Sequence, residues 1–185
     1  MFETLKKKRQ DKVLRLLSGV TREKRIENIS KVRDIAVIFT VGDEDRWNTL
    51  LAFVRQMEQQ NKHVWLIGFQ RDTLEINYIF SHQQTTICHE KEDFNFFGLP
   101  KEGVVEGFTG RHYDLLIDAS SEPTFFANYT AARALADLKV AYVDPSQPTD
   151  PNVQHIFDLL IRKEQPIDIP DYLEEVTKYL SMIQK

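Results

Sequence analysis

Carboxylates stand where three apolar runs end. Asp43, Glu44 and Asp45 follow residues 35–41, Asp118 and Glu122 follow residues 113–117, and Asp144 follows residues 139–143. If these runs are parallel strands of one sheet, the acids share an edge, because such sheets gather binding groups where their strands end. Two or three converging carboxylates suit Mg²⁺, which takes hard oxygen ligands. Asp43 and Asp118 are then the first candidate ligands, with Asp144 closing the site. Asp and Ser at such positions more often cap helices and shape turns.

Ser120 and Ser121 sit just before a helical stretch, whose free amides could receive a phosphate or a carboxylate. Asp118 and Glu122 flank that position and repel an anion. Neither serine lies in a Gly-x-Ser-x-Gly elbow, and the sequence signals no histidine partner. Thr124 and Asn128 could donate hydrogen bonds to a small ligand in the same region. No Gly-x-Gly-x-x-Gly follows the first run, where Gly42 stands alone, and Gly107 and Gly110 precede a strand, the wrong order for a phosphate cradle. His63, His82, His89, His112 and His155 form no His-Glu-x-x-His pair, and zinc at His89, Glu90 and Glu92 would need His82 folded back. Phe94, Phe96 and Phe97 neighbour Glu90, Glu92 and Asp93, which suits a hydrophobic lid or partner patch better than a nucleic-acid platform. Cys88 is the only cysteine, so no internal disulfide is possible, and it reads as strand packing. Apart from the Mg²⁺ alternative, no cofactor is signalled.

The elements that must position these residues alternate. Residues 3–18 read as a helix stopped by Gly19, and 21–29 as a second helix. Residues 35–41 and 63–69 are apolar runs without clean alternation, as expected of strands covered on both faces. Between them Trp47, Leu50, Leu51, Val54 and Met57 recur at helical spacing. Residues 70–110 are harder: 85–89 looks like a strand, amid short strands, an edge hairpin or a surface excursion. Then come a strand at 113–118, a helix over 124–137, a strand at 139–144, prolines at 145, 148 and 151 that exclude regular helix there, and a strand at 157–161. A final helix covers 171–183, with Pro170 as its start signal and Ile169 as a staple. The predicted fold is a three-layer α/β/α, Rossmann-like domain with a mainly parallel sheet of five or six strands.

Residues 1–33 hold 11 Lys/Arg and 4 Asp/Glu, a net of +7, and residues 34–185 carry a net of −11. The expected division is a basic helical arm at 1–33, packed on the domain or on a partner, and one α/β domain at 34–185. Phe2, Leu5, Val13, Leu16, Leu17 and Val20 give the arm an imperfect apolar stripe. Packing on its own body or on a second copy is favoured over nucleic-acid or membrane-surface contact. No apolar run approaches the roughly 20 residues of a membrane span, and the opening residues do not read as a signal peptide. A cytoplasmic location is the expectation.

The basic amphipathic start, residues 35–40, the segment 88–100 from Cys88 to Pro100, and the runs 113–118 and 157–161 together resemble a family of small uncharacterised α/β proteins of Bacteroidota, over nearly the whole chain. That resemblance implies no activity. More remotely, residues 113–142 look like a strand–helix–strand from the N-terminal half of two-domain glycosyltransferases that build lipopolysaccharide cores. Two functional expectations follow. One is a non-catalytic protein that binds a partner or its own copy through the arm. The other is a Mg²⁺-dependent binder or enzyme acting on a phosphorylated or sugar-like ligand, with Asp43 and Asp118 on the metal, Ser120 and Ser121 orienting an anion and Asp144 closing the site.

Overall fold

The structure is a computed structural model that describes residues 2–71, 76–144, 151–162 and 168–184. The element order is α1 (Phe2–Ser18), β1 (Asp34–Thr40), α2 (Glu44–Gln59), β2 (His63–Gln70), β3 (Thr85–His89), α3 (Glu90–Asp93), α4 (Glu106–Thr109), β4 (His112–Asp118), α5 (Phe125–Arg133), β5 (Leu135–Val143), α6 (Pro151–Ile156), β6 (Leu159–Arg162) and α7 (Ile169–Ser181), with a 3-10 turn at Tyr78–Ser81. The strands form one sheet in the order β3-β2-β1-β4-β5-β6, and every adjacent pair is parallel. This is the expected Rossmann-like architecture. The chain builds outward from β1 through β2 to β3, then returns to β1's other side with β4, which makes the β1/β4 boundary the topological switch point.

Both faces of the sheet are covered, which is why its strands read as continuous apolar runs. One face packs under α2 and α7, with Val37, Val54, Met57, Leu115 and Leu180 in a shared core. The other packs under α1, α5 and α6, with Leu14, Ile38, Ile67, Leu116, Phe126 and Ile156. Residues at 0% exposure include Ile35, Val37, Ile38, Ile67 and Ile117, and they hold the centre of the sheet dry.

Several expected boundaries are corrected. Residues 21–29 form no helix, because their amides are used over long range: Arg25 N–H donates to Asp137 O at 3.1 Å and Ile29 N–H to Leu180 O at 3.3 Å. Arg22 donates to Ala136 O at 2.9 Å and Asp137 O at 3.0 Å, and it pairs with Asp158, as does Lys24 at 3.0 Å. Lys62 Nζ fastens the next stretch through Ile29 O and Val32 O, both at 2.8 Å. The helix after Thr124 ends at Arg133 instead of 137, since Leu135 to Leu138 pair with His112 to Leu115. The carbonyl of Ala131, left open by that early stop, accepts from buried Lys139 Nζ at 2.5 Å. Residue 151 begins α6: proline suits a helix's first turn, where its missing N–H costs nothing. The reading at Pro145 and Pro148 lies outside the described residues. The last strand starts at Leu159, two residues later than expected, and α7 starts at Ile169, capped by Asp168, which accepts from Asp171 N–H at 3.1 Å.

Candidate functional site

A crevice of about 780 Å³ opens beyond the carboxyl ends of the strands, within the size range of small-molecule sites. Phe69 and Arg71 at the end of β2, Ser120 to Pro123 after β4, and Tyr142 to Asp144 at the end of β5 contribute to it. The first turns of α5 add Thr124, Phe125 and Asn128. The remaining wall is α1, through Glu3, Lys6, Lys7, Gln10, Asp11 and Leu14. The apolar side of the crevice is set by Phe69, Phe94 and Phe126, whose ring centroids lie 5.2 to 5.8 Å apart.

The crest after β4 is locally fixed. Asp118 Oδ1 accepts from Ser120 N–H at 3.0 Å, a short-range bond typical of Asp at a turn. Thr124 Oγ1 accepts from Ala127 N–H at 3.0 Å and caps α5. The Ser120 hydroxyl lies close enough to Asp118 to favour its charged form. That hydroxyl nonetheless makes no hydrogen bond of ordinary geometry, so the Ser120 amide is the one bonded donor to Asp118 and the buried hydroxyl oxygen has no partner. Tyr142 Oη, on a second crevice residue, is likewise buried and unpartnered. Buried polar atoms are nearly always satisfied, and these two oxygens, though on crevice residues, have almost no surface exposed to it.

The crevice collects Ser120, Ser121 and Asp144 and leaves Asp43 and Asp118 outside its walls. Asp43 caps α2, accepting from Arg46 N–H at 2.9 Å. The hollow beside Gly42 and Arg46 measures about 10 Å³, no more than a water fills. Asp118 ends β4, and burial pushes its carboxyl up to about 6 against the pull of the nearby Ser120 hydroxyl and the Ser120 amide. Burial, followed by the charge of Asp118, holds the Tyr172 phenol well above its ordinary value. Among the described residues no three His, Cys, Asp or Glu side chains stand together as a metal site. A Mg²⁺ ion here would have to draw most of its ligands from water and from the bound molecule.

Sequence reasoning missed the contribution of α1. Gln10 Nε2 donates to Phe97 O at 3.0 Å, and Gly98, at φ +70, lets the 94–100 loop run against Lys6 and Gln10. A usable signal existed: Glu3, Lys6, Lys7, Gln10 and Leu14 recur at helical spacing, so polar crevice residues and the buried Leu14 share one face. Arg71, also missed, pairs with Glu122 at 2.7 Å. Lys6, Lys7 and Arg71 meet Glu3, Asp11, Glu90, Glu122 and Asp144 around the crevice. Cys88 is buried, and burial with Asp93 nearby pushes its thiol up to about 12, which makes it a packing residue.

The model of a family of unknown function, DUF6913, matches residues 5–183. The chain belongs to this family. The match begins inside α1 and runs beyond the end of α7, so it takes in the arm and the sheet of this family member together. No curated protein matches. Among solved structures, the fold is similar to that of an E. coli heptosyltransferase, WaaC with ADP, at 12% identity and a TM-score of 0.49. That likeness covers 82% of this chain and 48% of the heptosyltransferase, so the chain spans about half the length of that protein. No helix among the described residues is long and apolar enough to cross a membrane.

Proposed function

We propose that the protein binds a small phosphorylated or sugar-like molecule in the crevice between α1 and the ends of β2, β4 and β5. The observation that carries this reading is the pair of buried, unpartnered hydroxyls, Ser120 and Tyr142, on a cavity of ligand size. A turn of either side chain would present its hydroxyl to a sugar hydroxyl or phosphate oxygen in the crevice. Lys6 and Lys7 supply ammonium groups on the opposite wall, and Asn128 supplies an amide. The carboxylates around the rim favour a ligand rich in hydroxyls over a bare polyanion. Mg²⁺ would enter with a phosphate, since no three His, Cys, Asp or Glu side chains stand together among the described residues. Among the described residues no histidine or cysteine lines the crevice, and the reading is of a binding site, with any proton transfer left to carboxylates.

The test is a thermal-shift screen of sugar phosphates, nucleoside phosphates and free sugars, with and without Mg²⁺. A true ligand at about 100 times its Kd stabilises the fold by about 2.7 kcal/mol. Ser120→Ala and a Lys6→Ala/Lys7→Ala double variant should lose most of that shift, and Asp43→Asn, outside the crevice, should keep it. A flat screen, or one shift shared by all variants, would sink the site as drawn. The expectation of a partner at the arm now concerns only its outward face, because the inward face packs on α5 and α6.

A further inference from the structure

The fold sorts the residues of α1 into two sets that the sequence interleaves. Its inward side carries Leu14 and the crevice residues, including both of its acids, Glu3 and Asp11. Its outward side exposes Phe2, Leu5, Lys8, Arg9, Lys12, Arg15 and Leu16, none of which touches the crevice. The positions 5, 8, 9, 12 and 16 repeat at helical spacing and fall on one stripe. That stripe bears cations and large apolar side chains and no carboxylate. Leu5 is 55% and Leu16 69% exposed. Phe96, at 72%, packs at a tilt on Phe2 with ring centroids 4.2 Å apart and widens the apolar patch.

We propose that this outward face of α1 seats the protein on an anionic lipid surface. A helix that pairs Lys and Arg with exposed Leu and Phe matches the headgroup boundary, where the charges meet anionic lipid and the apolar side chains enter the acyl edge. Nucleic acid would satisfy the cations but leave Leu5 and Leu16 in water. A second copy offers an acidic cluster at the starts of α2 and α7, with exposed Asp43, Glu44, Asp45, Asp168 and Asp171. That cluster lies with the helices on the opposite face of the sheet. Contact between the two patches would be head-to-tail and open-ended, and α7's exposed large apolar residues, Tyr179 and Met182, sit at its far end. The same opposition of charge across the sheet would orient the protein on a membrane, acids outward. This proposal does not depend on the crevice reading.

The test is co-sedimentation of the full chain with phosphatidylcholine vesicles, with and without phosphatidylglycerol. Binding should require phosphatidylglycerol and weaken as salt rises. Lys8→Glu/Arg9→Glu/Lys12→Glu should weaken it by about tenfold or more. Leu5→Ser/Leu16→Ser, which keeps every charge, should weaken it several-fold. All five positions are exposed, so both variants should keep the wild-type Tm. Absent or lipid-independent binding would overturn the proposal. So would binding untouched by the Leu5/Leu16 pair, tighter binding to duplex DNA than to vesicles, or a light-scattering mass above monomer that the same substitutions abolish.

Discussion

Asp118 carries an electrostatic cost that a substitution can expose. Its carboxyl titrates near 6 because burial disfavours the charge more than the Ser120 hydroxyl and amide favour it. A carboxyl raised in the native state binds its proton more tightly there than in the unfolded chain. Its contribution is therefore fully favourable below the unfolded value near 3.8 and is lost as pH rises through about 6. Asp118→Asn keeps an oxygen for the Ser120 amide and removes the charge. It should stabilise the protein at pH 7.5 by about 1–2 kcal/mol, discounted because part of the residue reaches solvent, with the gain vanishing below pH 4. Paired denaturant titrations at the two pH values check this, and a gain that persists in acid would contradict it. Asp158 has the opposite sign. Burial alone would raise it, but bonds from Arg22, the Lys139 amide and Lys24 outweigh burial and hold it below the usual carboxylate range. Its stabilisation is present above the unfolded value and lost as pH falls through the lower native one. Asp158→Ala should cost about 3 kcal/mol at neutral pH, since it leaves Arg22 part-buried without its carboxylate. The loss should shrink in strong acid, and equal losses at both pH values would show that charge is not its origin.

At the scale of elements, α1 is held on α5 and α6 by Leu14, with Val13 and Leu17 half-buried beside it. Leu14 is its only fully buried residue, and the Gln10 bond to Phe97 O and the Phe2–Phe96 ring contact tie it to the 94–100 loop. Leu14→Ala should cost about 2–3 kcal/mol and raise protease cleavage within residues 2–18 before the rest of the chain unfolds; cleavage that begins in the sheet instead would show α1 to be no separate unit. The strands β1, β2 and β4 were legible because a strand covered on both faces must be apolar throughout, as Ile35, Val37, Ile38, Leu66 and Ile117 are. Helices α2 and α7 were legible because each buries one face. The α5/β5 boundary was not, because Leu135-Ala136-Asp137-Leu138 suits either state and only pairing with β4 decides it. Residues 21–29 misled for the same reason: a helix-compatible composition gave way to long-range bonds with β5 and α7. In the candidate site, Ser120, Ser121 and Asp144 were legible from their place after strands. Lys6, Lys7 and Gln10 were not, because nothing local tells a helix which strand ends it will cover.

For the whole molecule, the strand order sets where a ligand can act. The sheet turns at β1/β4, the crevice spans that turn from the end of β2 to the ends of β4 and β5, and α1 closes it from outside. Strands buried at 0% exposure should open only with global unfolding, whereas α1 should open at much lower cost. In the free protein, hydrogen exchange should therefore run fast in α1 and slowest in β1, β2 and β4. A ligand spanning the crevice touches Lys6 and Lys7 on one wall and Ser120 to Asn128 on the other, so it ties α1 to the sheet. Binding should then slow exchange in both segments together, by up to the factor 1 + [L]/Kd, while the exposed first turn of α2 at Asp43 stays unchanged. Protection confined to residues 120–128 would mean that the ligand sits on the sheet edge alone and that α1 is no part of the site. Protection confined to α1 would place binding on the helix and empty the crevice of its role.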